Sequence, residues 1–139
     1  MFYLNDGYST LSLEETAFNR NDSAEIDAYD YFSTDIQLKS EVFSFSLKNI
    51  DVYIFHLKEI INGINLLIKE ESAGFVLSLY HDVMVLNFQR NDDGISYRIT
   101  VELKSLTDGE FSLKGNMYIT NDTMVGLYND IKYFLSAYE

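Results

Sequence analysis

The sequence predicts an α+β fold: a curved, mainly antiparallel sheet of about eight strands, with two amphipathic helices at about 49–71 and 121–138 packed on it. Three observations carry this. Short runs of alternating apolar residues are separated by turns rich in Gly, Asn and Asp. The hydrophobic spacing switches twice from two to 3.6 residues. Consecutive hairpins force antiparallel neighbours, and two amphipathic helices need a sheet face to cover. The element order is four strands and a helix, written twice, in a single domain over residues 1–139.

With no Pro in the chain, boundaries are read from Gly, Asn, Asp and periodicity. Phe2-Tyr3-Leu4 and residues 8–13 flank Asn5-Asp6-Gly7, which reads as a short hairpin. Residues 14–30 lose the alternation and read as a surface loop. In 31–38, Phe32, Ile36 and Leu38 share a face, as do Phe43, Phe45 and Leu47 in 42–47. Ile50, Ile54, Leu57, Ile61, Ile64 and Ile68 then lie alternately four and three residues apart, one stripe of a helix that Tyr53, Ile60 and Leu67 widen. Asn49 is the expected N-cap, with Asp51 near the positive end of the helix dipole. Gly63 sits inside this helix at a cost of about 1 kcal/mol relative to Ala, and suits the close approach of a strand.

The second half repeats the order. Phe75, Leu77 and Leu79 alternate with Val76, Ser78 and Tyr80, and His81-Asp82 turns the chain into residues 83–88. That run is apolar on both faces and is expected to be central and covered on both sides. Asn91-Asp92-Asp93-Gly94 predicts a hairpin turn. Ile95, Tyr97, Ile99, Val101 and Leu103 then alternate with polar residues. Thr107-Asp108-Gly109 makes another turn, and Phe111, Leu113, Met117 and Ile119 form the matching strand. Gly115 interrupts its apolar face, marking a bulge or a spot where a helix packs closely. Thr120 or Asn121 caps the last helix, with Asp122 in the first turn and Met124, Leu127, Ile131, Phe134 or Leu135, and Tyr138 at helical spacing.

Composition narrows the function. The 139 residues are 47% hydrophobic, enough to fill one core, and 11 Tyr and 10 Phe argue against disorder. No apolar run reaches the ~20 residues of a membrane span. Residues 1–7 have neither the basic nor the apolar region of a secretion signal. Zero Cys excludes disulfides, thiolate nucleophiles and zinc fingers. The expectation is a soluble cytoplasmic protein. Its 22 acids against 10 bases give a net charge of −12. That balance disfavours nucleic acid and anionic membrane, and draws in a basic macromolecule; plain solubility is the alternative.

Motifs for chemistry are few. His56 lies off the main apolar stripe and His81 beside Asp82, and neither has a second His or a carboxylate four residues on. A nucleophile elbow, a phosphate-binding loop and a calcium loop are all missing from the sequence. A hydrolase needs only two carboxylates ~5–9.5 Å apart, and the many acids keep that alternative open. The expectation is a non-enzyme with no cofactor and no metal.

The acids are unevenly spread. Residues 1–41 hold nine acids and two bases, and residues 42–139 hold thirteen acids and eight bases. Within the first stretch, residues 25–32 interleave carboxylates with aromatics. Rings supply large stiff contact area, while carboxylates steer a partner and pair with Arg or Lys. Asp27, Tyr29, Asp30, Tyr31 and Asp35, followed by Glu25 and Asp22, are the expected partner-binding residues. The alternative is a strand edge with rings inward and acids in water.

The whole pattern resembles the WapI-type immunity proteins of bacterial polymorphic toxin systems. The opening hairpin in 1–15, the acidic-aromatic strand Asp27-Ala28-Tyr29-Asp30-Tyr31-Phe32, and Val42-Phe43-Ser44-Phe45-Ser46-Leu47 leading into the helix at 49–71 carry the likeness. A hairpin, a long alternating strand and a capped helix over 74–139 complete it. The resemblance implies a non-catalytic immunity protein that binds and blocks a basic toxin domain, such as a nuclease, with no direct contact to nucleic acid. A small intracellular structural or regulatory module is the other reading. Oligomeric state is left open.

Overall fold

The computed structural model describes residues 1–20, 28–105 and 111–138. The order is β1 (Phe2–Asn5), β2 (Ser9–Asn19), β3 (Tyr31–Ser40), β4 (Ser44–Tyr53), α1 (Ile54–Ile68), β5 (Gly74–Ser78), β6 (Met84–Arg90), β7 (Ser96–Lys104), β8 (Ser112–Thr120) and α2 (Asn121–Ser136). The fold is α+β with antiparallel strands and two helices, as the sequence predicts. Its eight strands form two four-stranded sheets, β1-β2-β3-β4 and β5-β6-β7-β8, in place of one continuous sheet. Each strand pairs with its neighbour in the chain, so the sheet divides where α1 interrupts the succession of hairpins. The unit of four strands and a helix is therefore repeated at the level of topology.

Alternation sets the inner faces. Phe2, Leu13, Ile36 and Leu47 form one cross-strand row of the first sheet, and Leu4, Leu11 and Leu38 another. In the second sheet, Leu77, Leu86 and Val101 line up, as do Phe75, Phe88, Ile99 and Met117. These rows join the buried stripes of α1 (Ile54, Leu57, Ile60, Ile64, Leu67) and α2 (Met124, Leu127, Ile131, Leu135) in one connected core. Truncating any of these Leu or Ile residues to Ala costs about 2–5 kcal/mol, because the cavity adds to the lost transfer energy.

The helices tie the halves together. They pack on each other, α1 also reaches β5, and α2 reaches β1, so each touches the edge strand of the other half. Gly63 does what its position predicts: a Cβ there would lie 2.6 Å from the Phe75 ring, which stacks on Phe88 at 4.5 Å. Arg90 reaches from β6 to the C-terminal turn of α1, donating to the Leu67 carbonyl and pairing with Glu70 at 3.2 Å. A cation there offsets the negative end of the helix dipole.

Four expectations are corrected. Residues 14–19 belong to β2, because β3 pairs with Glu14, Glu15, Ala17, Phe18 and Asn19, leaving Thr16 in a bulge, and so supplies the backbone partners that the missing alternation left unassigned. Residues 83–88 are interior to their sheet but covered on one face only, with Val85 and Asn87 half-exposed. Asn49 does not cap α1. It lies inside β4 at φ 57°, in a bulge where Lys48 and Asn49 oppose Asp35 alone. Asn tolerates this left-handed conformation because its short polar side chain bonds locally, the same property that favours it at caps. Gly115 marks neither a bulge nor a helix contact: the β7–β8 register is unbroken, and nothing lies within 4 Å of where its Cβ would be. The turn expected at 107–109 lies outside the described residues. Among the described residues, no helix is long and apolar enough to cross a membrane.

Candidate functional site

Among the described residues, the carboxylates of the expected acidic-aromatic patch do not gather on one surface. Asp22, Glu25 and Asp27 lie outside the described residues. Asp30 is fully buried, a correction to its expected role, since a carboxylate withdrawn from solvent cannot meet a partner. Its backbone is engaged as well: the Asp30 and Ala28 carbonyls accept from the Ile54 and Phe55 N–H groups at 2.9 and 3.2 Å. Two otherwise unpaired donors in the first turn of α1 are thereby satisfied.

The rings of this segment pack on the same junction. Tyr31 lies 5.3 Å from Tyr53, Tyr53 stacks on Phe55 at 5.3 Å, and exposed Tyr29 meets the Phe55 edge at 6.0 Å. Behind them His56 is buried, and its Nδ1 accepts from the Tyr53 N–H at 3.1 Å. Burial lowers its pKa from 6.5 to about 4, so the ring is neutral near pH 7. Asp35 stands apart on the outer face of β3, where it accepts from Asn49 N–H and pairs with Lys48, both at 3.3 Å. It secures the β4 bulge. Among the described residues, then, the structure joins Tyr29 and Tyr31 to one ring cluster through Phe55 and Tyr53, buries Asp30 at the same junction and sets Asp35 apart on β3.

A different surface is better built for binding. The tips of the β1–β2 and β3–β4 hairpins face the edge of β8 across a groove of about 360 Å³. Leu38 of one sheet and Val101 of the other contribute to its lining, and Leu113 and Met117 flank Gly115 on the same strand. Val101 pairs directly with Gly115. A larger side chain at that position would project toward Val101 and the groove, so Gly115 keeps the site open. Tyr8, Phe43 and Tyr118 stand around it, with Tyr8 87% and Tyr118 55% exposed. The groove is close to neutral. Lys114 is exposed at its rim, while the Asp6 carboxylate accepts from the Tyr8 and Ser9 N–H groups at 2.9 and 2.8 Å and so serves the turn.

The edge itself is the second half of this site. β1 and β5 are short and touched by helices, and β4 is bulged and bears Lys48 and Asp51. By contrast β8 is nine residues long, unbulged, and carries Lys114 as its one charge. Among the described residues it pairs with β7 alone, leaving the N–H and C=O groups of its other edge without backbone partners over 112–118. Natural edges are normally blunted by bulges, charge or covering elements. Sequence reasoning missed Tyr8, Phe43, Val101 and Tyr118 here, and its one available signal was Gly115.

Chemistry of other kinds finds little footing. No group of three or more metal-binding side chains occurs among the described residues. His81 sits at an exposed turn at φ 60°, in ring contact with Tyr80.

No family model and no curated protein matches this chain. Among solved structures it is similar to the plant transcriptional regulator PBF-2, with a TM-score of 0.44 and 14% identity over 95% of this chain and 78% of that one. It is likewise similar to WHY3 from Arabidopsis thaliana, with a TM-score of 0.44 and 15% identity over 96% and 84%. The expected toxin inhibitor, its basic toxin partner and the exclusion of nucleic acid are corrected on these findings: the similar structures named are a plant transcriptional regulator and WHY3. The burial of Asp30 removes a central anion from the same reading.

Proposed function

We propose that this protein is a non-catalytic regulatory module that binds an extended peptide segment along the open edge of β8. One observation carries the reading: a long, regular, nearly uncharged strand edge borders a groove that Gly115 leaves vacant. An added strand would satisfy the free backbone groups of 112–118, which gives affinity. Its alternate side chains would enter the space between Leu38 and Val101, which gives specificity. The occupant is a peptide with a medium-sized apolar residue at the position facing Gly115, and the neutral groove asks for no particular net charge. A cytoplasmic setting fits a module that folds without disulfides.

Selection from a random peptide library tests this. Wild-type protein is expected to enrich peptides with alternating apolar residues, and Gly115→Leu to lose them by at least tenfold. Gly115 has room for a side chain and an ordinary φ, so the variant should stay folded. Enrichment that persists unchanged in Gly115→Leu would refute the proposal.

A further inference from the structure

We infer a second site, in the groove between α1 and α2, that takes a small phosphomonoester with an apolar body. The groove measures about 410 Å³, within the range of small-molecule pockets. Four other grooves among the described residues are each lined by at least one carboxylate. This one is lined by Lys58 and Lys132 and by no carboxylate. In a chain of net charge −12, two lysines lining one groove with no carboxylate among its described lining residues are a local reversal of sign.

The remaining polar lining is also uncommitted. Among the described residues, Asn62 and Asn65 of α1 make no side-chain hydrogen bond, and neither Lys forms an ion pair. The Lys132 ammonium lies 5.5 Å from the centre of the Tyr128 ring, which holds it beside the groove. Ser136 already donates to the Tyr133 carbonyl at 2.6 Å and has no proton to offer an anion. Two ammonium groups, two amides and the Tyr128 hydroxyl are therefore the available donors. A phosphate offers about −1.5 to −2 charge and three acceptor oxygens, which matches that set better than a monoanion does. Ile61 and Leu135 supply the apolar lining for the ester's carbon body.

This site is independent of the β8 groove, and its test leaves that proposal untouched. Phenyl phosphate and inorganic phosphate would be titrated into ¹⁵N-labelled protein at constant ionic strength set by sodium chloride. The expected result is saturable shifts at residues 58, 62, 65, 128 and 132, with phenyl phosphate binding several-fold more tightly. The Lys58→Gln/Lys132→Gln variant should weaken binding by tenfold or more while its circular dichroism and Tm match wild type. Shifts that rise linearly, that show no preference for the phenyl ester, or that persist in the double variant would overturn the site. If the double variant failed to fold, Asn62→Asp/Asn65→Asp, which places anions in the groove, would be read the same way.

Discussion

The strands β4 and β8 occupy equivalent places in the repeated unit, each the last strand of its sheet and each running directly into a helix. They are finished differently. The β4 edge is kinked by a bulge that Asp35 secures, and its helix is entered through Tyr53, whose N–H is taken by buried His56. The β8 edge is straight, interrupted only by the missing side chain of Gly115, and its helix begins at Thr120, whose hydroxyl accepts from Thr123 N–H at 3.3 Å. The bulge and nearby charges blunt one edge against pairing, and the other is left open. The same topology thus carries a closed edge and an open one, and the difference rests on a few residues.

The largest break in this comparison is expected at the β4–α1 junction. His56→Ala removes a buried ring from the Tyr53–Phe55 cluster and leaves the Tyr53 N–H without its acceptor; the expected loss is about 2–4 kcal/mol in urea denaturation. His56→Gln keeps an acceptor and should lose less. The same residue gives the first junction a pH dependence. Its folded pKa of about 4 lies below the unfolded value of 6.5, so the unfolded chain takes up the proton first. Wild type should lose stability as pH falls from about 6.5 to about 4, with this group adding nothing above that window. The difference between wild type and His56→Gln should vanish in slope above pH 7 and open below 6.5.

Smaller effects sharpen the contrast. Asn49→Val forces a β-branched residue to φ 57° and should cost about 1–2 kcal/mol, whereas Asn49→Gly should be near neutral. Thr120→Ala removes the α2 cap and should lower stability by about 1 kcal/mol, read from the urea midpoint. Gly115→Leu should change stability by less than about 0.5 kcal/mol, since it fills open space on a regular strand.

The two junctions also differ in how far they could be read from sequence. Thr120 stands where the period changes from two to 3.6, with Asp122 behind it, so the boundary was legible and the cap was narrowed to Thr120 or Asn121. At the first junction the helical spacing ran backward into β4 through Ile50, which is buried from a strand and happens to fall four residues before Ile54. Asn49 reinforced the error, because the local hydrogen bonding that suits a cap also suits a bulge. Tyr53 is an unusual cap, and its role depends on His56 three residues on. Paired hairpins, Gly63 against a strand, the second helical stripe and the Ile54, Leu57, Ile60, Ile64 and Leu67 part of the first followed from pattern alone, whereas the burial of His56 did not. The division into two sheets did not, since nothing local tells a strand whether the next sheet continues its own. The β8 groove was hidden for a related reason: it is made by residues 6–9, 38–43 and 113–118, which only the packing of two sheets brings together. The aromatic-acidic run misled because alternation puts Phe32 in the core, and the turn before it buries Asp30.

Backbone amide exchange along β8 tests the open edge most directly. A selected peptide added in saturating amount should slow exchange at alternate residues between 112 and 118, where an incoming strand would accept their N–H groups, and leave the Tyr29–Phe55 junction unchanged. Exchange in β8 that is indifferent to the peptide, with protection appearing at another surface, would contradict the assignment.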